Sequence, residues 1–140
     1  MEYVEKGIKI IGQKEFIDHY RKAVSLVESL GEEYSNLLHR NIRRIRQAPF
    51  MFLNLLTGTY MRKEIDSLEW DASGLVHEAQ HVNDFWSNPL SLIYRSTRKT
   101  EKHALETQNR FLKKIGHRGI DIEAYLKTEY WKTPLFERKY

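Results

Sequence analysis

Ala72-Ser73-Gly74-Leu75-Val76-His77-Glu78-Ala79-Gln80-His81-Val82-Asn83-Asp84-Phe85-Trp86 is helical by spacing, because Leu75, Val76, Ala79, Val82 and Trp86 recur at intervals of three and four. Ser87-Asn88-Pro89 breaks the pattern. Within the helix, His77-Glu78-Ala79-Gln80-His81 sets two imidazoles one turn apart on one face, with a glutamate between them. Side chains so placed can reach one metal ion, and the glutamate projects to where a bound water would sit. Six histidines and fourteen glutamates in 140 residues produce this pattern by chance only about 0.025 times. Its occurrence inside a helix is therefore informative.

Two histidines leave a tetrahedral site short of one protein ligand. A metzincin-type site takes the third from a histidine six residues past the second, after a glycine three past it, but Asp84 and Ser87 stand there. The other common arrangement draws a glutamate from the next helix. The spacing puts that helix at about Lys99 to Ile115, with Ala104, Leu105, Phe111, Leu112 and Ile115 inward. Glu101 lines up with Ala104, Leu105, Gln108 and Leu112, whereas Glu106 shares a face with Lys102, Asn109 and Lys113. Glu101 is the expected third metal ligand, beside His77 and His81.

Leu75-Val76-His77-Glu78-Ala79-Gln80-His81, followed by Glu101-Lys102-His103-Ala104-Leu105-Glu106-Thr107-Gln108, resembles the gluzincin metallopeptidases, and the chain's length makes it similar to the single-domain minigluzincins. The second segment resembles their E-x-E-A-[DY]-x-x-Q motif, with His103 in place of the usual second acid and Leu105 in place of a polar residue that often steadies the first histidine. The likeness covers about residues 70 to 112. It implies a zincin-like fold, one zinc ion per chain, and hydrolysis of peptide bonds in a peptide or protein substrate, with Glu78 as the catalytic base. Such enzymes add a tyrosine or histidine that stabilises the oxyanion, and Tyr94, His103 and His117 are the candidates.

Upstream, Gly7 and Gly12 bracket Ile8-Lys9-Ile10-Ile11, a short buried strand by composition. Phe16, Tyr20, Ala23, Val27 and Leu30, widened by Ile17 and Val24, mark a helix from Lys14 to Leu30 that Gly31 ends. Tyr34, Leu38, Ile42 and Ile45 extend the same spacing over Glu32 to Arg46, so a second helix is expected there, closed by Pro49. Phe50–Leu56 and Tyr60–Ile65 around Thr57-Gly58-Thr59 suggest a β-hairpin whose half-polar second strand is the sheet edge, available to pair with an extended substrate. Downstream, Gly116 and Gly119 flank a turn and Asp121 caps a last helix to about Tyr130. Thr133-Pro134 then releases the tail Leu135–Tyr140, short enough to lie in a cleft and restrain activity.

These elements describe one α+β domain over residues 1 to 140: a small twisted sheet with an edge hairpin, packed on an active-site helix and a glutamate helix. With 41% hydrophobic and 30% charged residues and no cysteine, the composition excludes disulfides, thiolate metal sites and a catalytic thiol. The first residues are too acidic for a secretory segment, and the longest apolar run, Phe50–Leu56, is broken by Asn54. The expectation is a cytoplasmic chain with no membrane partner. Arg40, Arg43 and Arg44 would share a helix face able to grip phosphates, but no aromatic interleaves them and a solvated face accounts for them better than nucleic acid does. Asp84 shares the face of His77 as an unusual ligand, a partner of a histidine, or a surface carboxylate. His19 and His39 stand outside any motif. The alternatives to a peptidase are a latent or non-catalytic zinc-binding domain and a basic nucleic-acid-binding helical module.

Overall fold

Ile8 and Ile10 are fully buried while Lys9 and Ile11 are only partly so, the alternation of a strand with one face on the core. A computed structural model of the chain describes residues 1–87 and 98–128. There β1 (Glu2–Glu5) pairs antiparallel with β2 (Ile8–Ile11). Lys6 and Gly7 join them at φ 48° and 89°, the left-handed pair that a two-residue hairpin turn requires. β1 carries too little apolar alternation to be visible in the sequence.

α1 (Lys14–Ser29) buries Phe16, Ile17, Tyr20, Ala23, Val24 and Val27, the expected stripe. α2 (Glu32–Asn41) begins after Gly31 but stops well short of Arg46. Ile42 is already extended, at φ −99° and ψ 120°, and β3 (Arg44–Gln47) follows. The expected second helix is thus corrected to a helix and a strand. Ile42 and Ile45 continue the spacing of Tyr34 and Leu38, yet both are β-branched, and Ile45 fits between Ile10 and Tyr60 in neighbouring strands. Arg44 and Arg46 alternate with it on the opposite face.

β4 (Phe52–Asn54) and β5 (Thr59–Arg62) form the expected hairpin, but its order in the sheet is the reverse of the expectation. The strand order is β1-β2-β3-β5-β4, with β2, β3 and β5 parallel and the outer strands antiparallel. β5 is therefore interior and β4 the edge. Met61 and Arg62 make β5 look half polar, but Thr59 and Tyr60 are buried and pair on both sides. The turn before β5 is tight: a Cβ on Gly58 would lie 2.2 Å from the Asn41 carbonyl oxygen, so only glycine fits.

α3 (Leu68–Ser87) starts a turn earlier than the apolar spacing suggests, where the Ser67 hydroxyl accepts the Trp70 N–H at 3.2 Å as a cap. α4 (Arg98–Lys114) ends at Gly116, whose φ of 81° lets the His117 N–H reach the Leu112 carbonyl. Asp121 caps α5 (Ile122–Lys127) by accepting the Ala124 N–H. α1, α2 and α4 all pack on α3, and the core runs from Ile10, Ile45 and Tyr60 through Tyr20 and Leu38 to Leu75 and Val76. The chain is α+β, and no helix among the described residues is long and apolar enough to cross a membrane. Tyr94, Trp131 and the tail Leu135–Tyr140 lie outside the described residues.

Candidate metal centre

Because α1, α2 and α4 all pack on α3, the polar residues in its middle are buried with its apolar ones: His77, Glu78 and His81 are each 4% exposed or less. One ligand-type atom from each lies within 4.8 Å of the others, so this group could hold a metal ion. The i, i+4 spacing brings the Nε2 atoms of His77 and His81 to 3.2 Å, with the rings nearly perpendicular at 70°.

α4 delivers a carboxylate to the same point. Glu101 lies in its first turn, where the helix dipole favours negative charge, and is fully buried. Its Oε1 is 3.0 Å from His81 Nε2 and its Oε2 is 3.4 Å from His77 Nε2. A tetrahedral ion with ligand bonds of ~2.0–2.1 Å separates its ligand atoms by about 3.3–3.4 Å. Two imidazole nitrogens and a carboxylate at 3.0 to 3.4 Å fit such an ion. Glu106, five residues on, is half-buried and takes part in none of these contacts.

The tautomer of His77 follows from its other nitrogen. The Ser73 hydroxyl donates to the Trp70 carbonyl at 2.7 Å, so its oxygen accepts from Gln108 Nε2 at 2.9 Å. That orients the Gln108 amide, whose Oε1 lies 2.9 Å from His77 Nδ1 and can only accept. Nδ1 therefore carries a proton, and Nε2 is the nitrogen that can present a lone pair to a metal. Gln108 was visible in the sequence as part of a motif, but its role was not. The missing polar residue at position 105 is made good one turn later on the same face.

His77 and Glu101 shift each other's protonation in opposite directions. Burial would lower the His77 pKa, but its hydrogen bond to Glu101 and the nearby carboxylates of Glu78 and Glu101 raise it. Burial would raise that of Glu101, but hydrogen bonds from His77 and His81 hold it well below the usual carboxylate range. A cation bound at this point would compete with protonation of His77 Nε2.

Glu78 and His77 also border a cavity of about 10 Å³ with Arg62, Trp70, Gly74 and Gln108. That is roughly the volume one water needs. A Cβ on Gly74 would meet nothing within 4 Å, so the glycine widens the cavity beside Glu78. Arg62 is held there by donating to the Tyr60 hydroxyl at 3.1 Å and to the Glu64 carbonyl at 3.1 Å. No local pattern in the sequence places Arg62 beside Glu78.

The remaining candidates sit elsewhere. Asp84 accepts from Gln80 Nε2 and bonds His103 Nδ1, both at 2.8 Å, so it orients His103 and neither His77 nor His81. His103 is half-exposed in that pair, and the His117 Nδ1 accepts from the Gly119 N–H. His19 is bonded to Asp71 and His39 lies 3.6 Å from Glu28. Comparison of the chain with protein-family models, curated proteins and solved structures returned no match, so the functional reading rests on the chain's own residues.

Proposed function

We propose that the chain is a zinc-dependent peptidase, with His77, His81 and Glu101 holding the ion and Glu78 acting as general base. The observation that carries this reading is the convergence of two imidazole nitrogens and a buried carboxylate, with a second carboxylate on the adjoining residue of the same helix. A ligand set of two nitrogens and one oxygen without sulfur suits zinc in a catalytic site, which keeps one position open. When bound, zinc supplies a water acidified toward a pKa of ~7 and polarises a carbonyl. Glu78 then takes the proton of the attacking water and returns it to the leaving amine. Gln108 and Ser73 keep His77 in the required tautomer throughout. An extended peptide would pair with β4, the exposed edge beside β5, where Phe52 is partly exposed.

The test separates binding from turnover. Purified without a histidine tag, the protein should contain about one zinc per chain and cleave casein or a peptide library. Glu78→Gln should keep the zinc and lose at least about 100-fold in rate, the low end of what general-base catalysis contributes. A zinc-loaded parent that cleaves nothing would be a metal-binding domain without turnover, and an unchanged rate in Glu78→Gln would overturn the role of Glu78.

A further inference from the structure

The bend that ends α2 and starts β3 breaks up the arginine cluster. Arg44 and Arg46 leave on the face of β3 opposite Ile45, while Arg40 and Arg43 line one cavity of about 290 Å³. Its floor is rigid: the Gly58 carbonyl accepts the N–H groups of Arg43 at 2.8 Å and Arg44 at 3.3 Å. Its far wall is Val82 and Trp86 of α3, and Trp86 is 60% exposed. Arg62, Arg98 and Arg110 each have an acidic partner. Arg40 and Arg43 have none among the described residues, and none of the described residues lining the cavity is acidic.

Val82 and Trp86 lie four and eight residues past Glu78, or roughly 6 and 12 Å along the helix at 1.5 Å per residue. An extended peptide covers that span in about two to four residues. We propose that the cavity is a subsite for an acidic residue of a peptide substrate, its carboxylate taken by Arg40 and Arg43 and its aliphatic stem covered by Trp86. The inference rests on the peptidase reading and names the class of substrate. Guanidinium groups suit carboxylates through paired N–H donors. A volume of this size accommodates a side chain or two rather than a strand of nucleic acid, which would need a continuous basic track with several stacking aromatics.

The test uses the full chain and blocked alanine pentapeptides carrying one glutamate, or one glutamine, at each position in turn. Binding is read from tryptophan fluorescence, with zinc present and after chelation, and Trp86→Phe identifies the signal of that site. The glutamate peptides should bind at least tenfold more tightly than their glutamine counterparts. Arg40→Gln with Arg43→Gln should remove that preference while the thermal midpoint holds, because both side chains are exposed. Equal affinity for the two peptide sets, or a preference that survives the double substitution, overturns the subsite. Tighter binding of inorganic phosphate or of a single-stranded oligonucleotide overturns the assignment to peptide. Acidic preference with no hydrolysis of any peptide supports the subsite and removes the peptidase; hydrolysis with no acidic preference does the reverse.

Discussion

Asp71 and Glu101 are both buried carboxylates that face histidines, and of these two only Glu101 belongs to the candidate metal centre. Asp71, at the start of α3, bonds His19 Nε2 at 2.6 Å, accepts the Asp66 backbone N–H at 2.7 Å, and lies 3.5 Å from the Arg62 guanidinium. Glu101, in α4, faces the Nε2 atoms of two histidines instead. The backbone amide and the guanidinium around Asp71 always carry their protons, so that carboxylate is held by fixed donors and needs no ion. The imidazoles around Glu101 can each give up a proton and offer a lone pair at one shared point. A carboxylate beside a histidine thus indicates a metal only when its other neighbours can become ligands.

The comparison breaks first at Asp71. Asp71→Ala leaves Arg62 and His19 without their buried partner and should cost about 3–5 kcal/mol of folding stability. Denaturant unfolding measures it, and zinc content should stay at the parent level in the folded fraction. Loss of zinc with unchanged stability would show that the two carboxylates have been assigned the wrong way round.

Glu101→Ala should do the opposite. Losing one of the three proposed ligands should lower zinc affinity by more than the ~10–100-fold typical of residues that only support a ligand. Glu106→Ala, on the other side of α4, should bind zinc like the parent. Zinc content by mass spectrometry decides between them, and a metal-free Glu106→Ala beside a loaded Glu101→Ala would reverse the ligand assignment.

The elements legible in the sequence were those written in local periodicity. The His77–His81 pair and Glu101 could be placed because a helix carries its own register, and the structure brings all three to one point. Residues 42 to 46 could not, because the spacing of Ile42 and Ile45 satisfies a helix and a strand equally until Ile10 and Tyr60 are seen on either side. The interior position of β5 depends likewise on pairing with β3, more than a dozen residues away, and no local pattern records it. Arg62, and the cavity of Arg40 and Arg43, join elements distant in the chain.

Gln108 marks the finer side of the comparison, since it touches the candidate metal centre only through His77. Gln108→Leu keeps the volume but removes the acceptor for Nδ1 and the donor to Ser73. Zinc affinity, measured by competition with a chromogenic chelator, should drop by ~10–100-fold. Gln108→Glu, which restores an acceptor, should recover part of that loss. If both variants bound zinc like the parent, the tautomer of His77 would not depend on this chain of bonds.

The smallest effect follows from the proton that zinc would displace. In the metal-free protein the lowered Glu101 pKa adds stability above its ordinary 4.5, and that stability is lost only as pH falls toward the folded value. The raised His77 pKa adds stability that is complete below 6.5 and fades as pH rises through the folded value. The metal-free pair therefore contributes most between these two values and less at higher pH. Zinc runs the other way. It needs the His77 Nε2 lone pair, so displacing one proton makes its affinity rise by about tenfold per pH unit until the folded His77 pKa is passed. The gain in thermal midpoint on adding zinc, relative to protein held in chelator, should accordingly grow as pH rises from about pH 5 until the raised folded His77 pKa is passed. Asp71→Asn, whose substitution lies away from the His77 proton, should retain the same trend from a lower baseline. A gain independent of pH would mean that zinc and the proton do not compete for one nitrogen, and would place the metal elsewhere than between His77, His81 and Glu101.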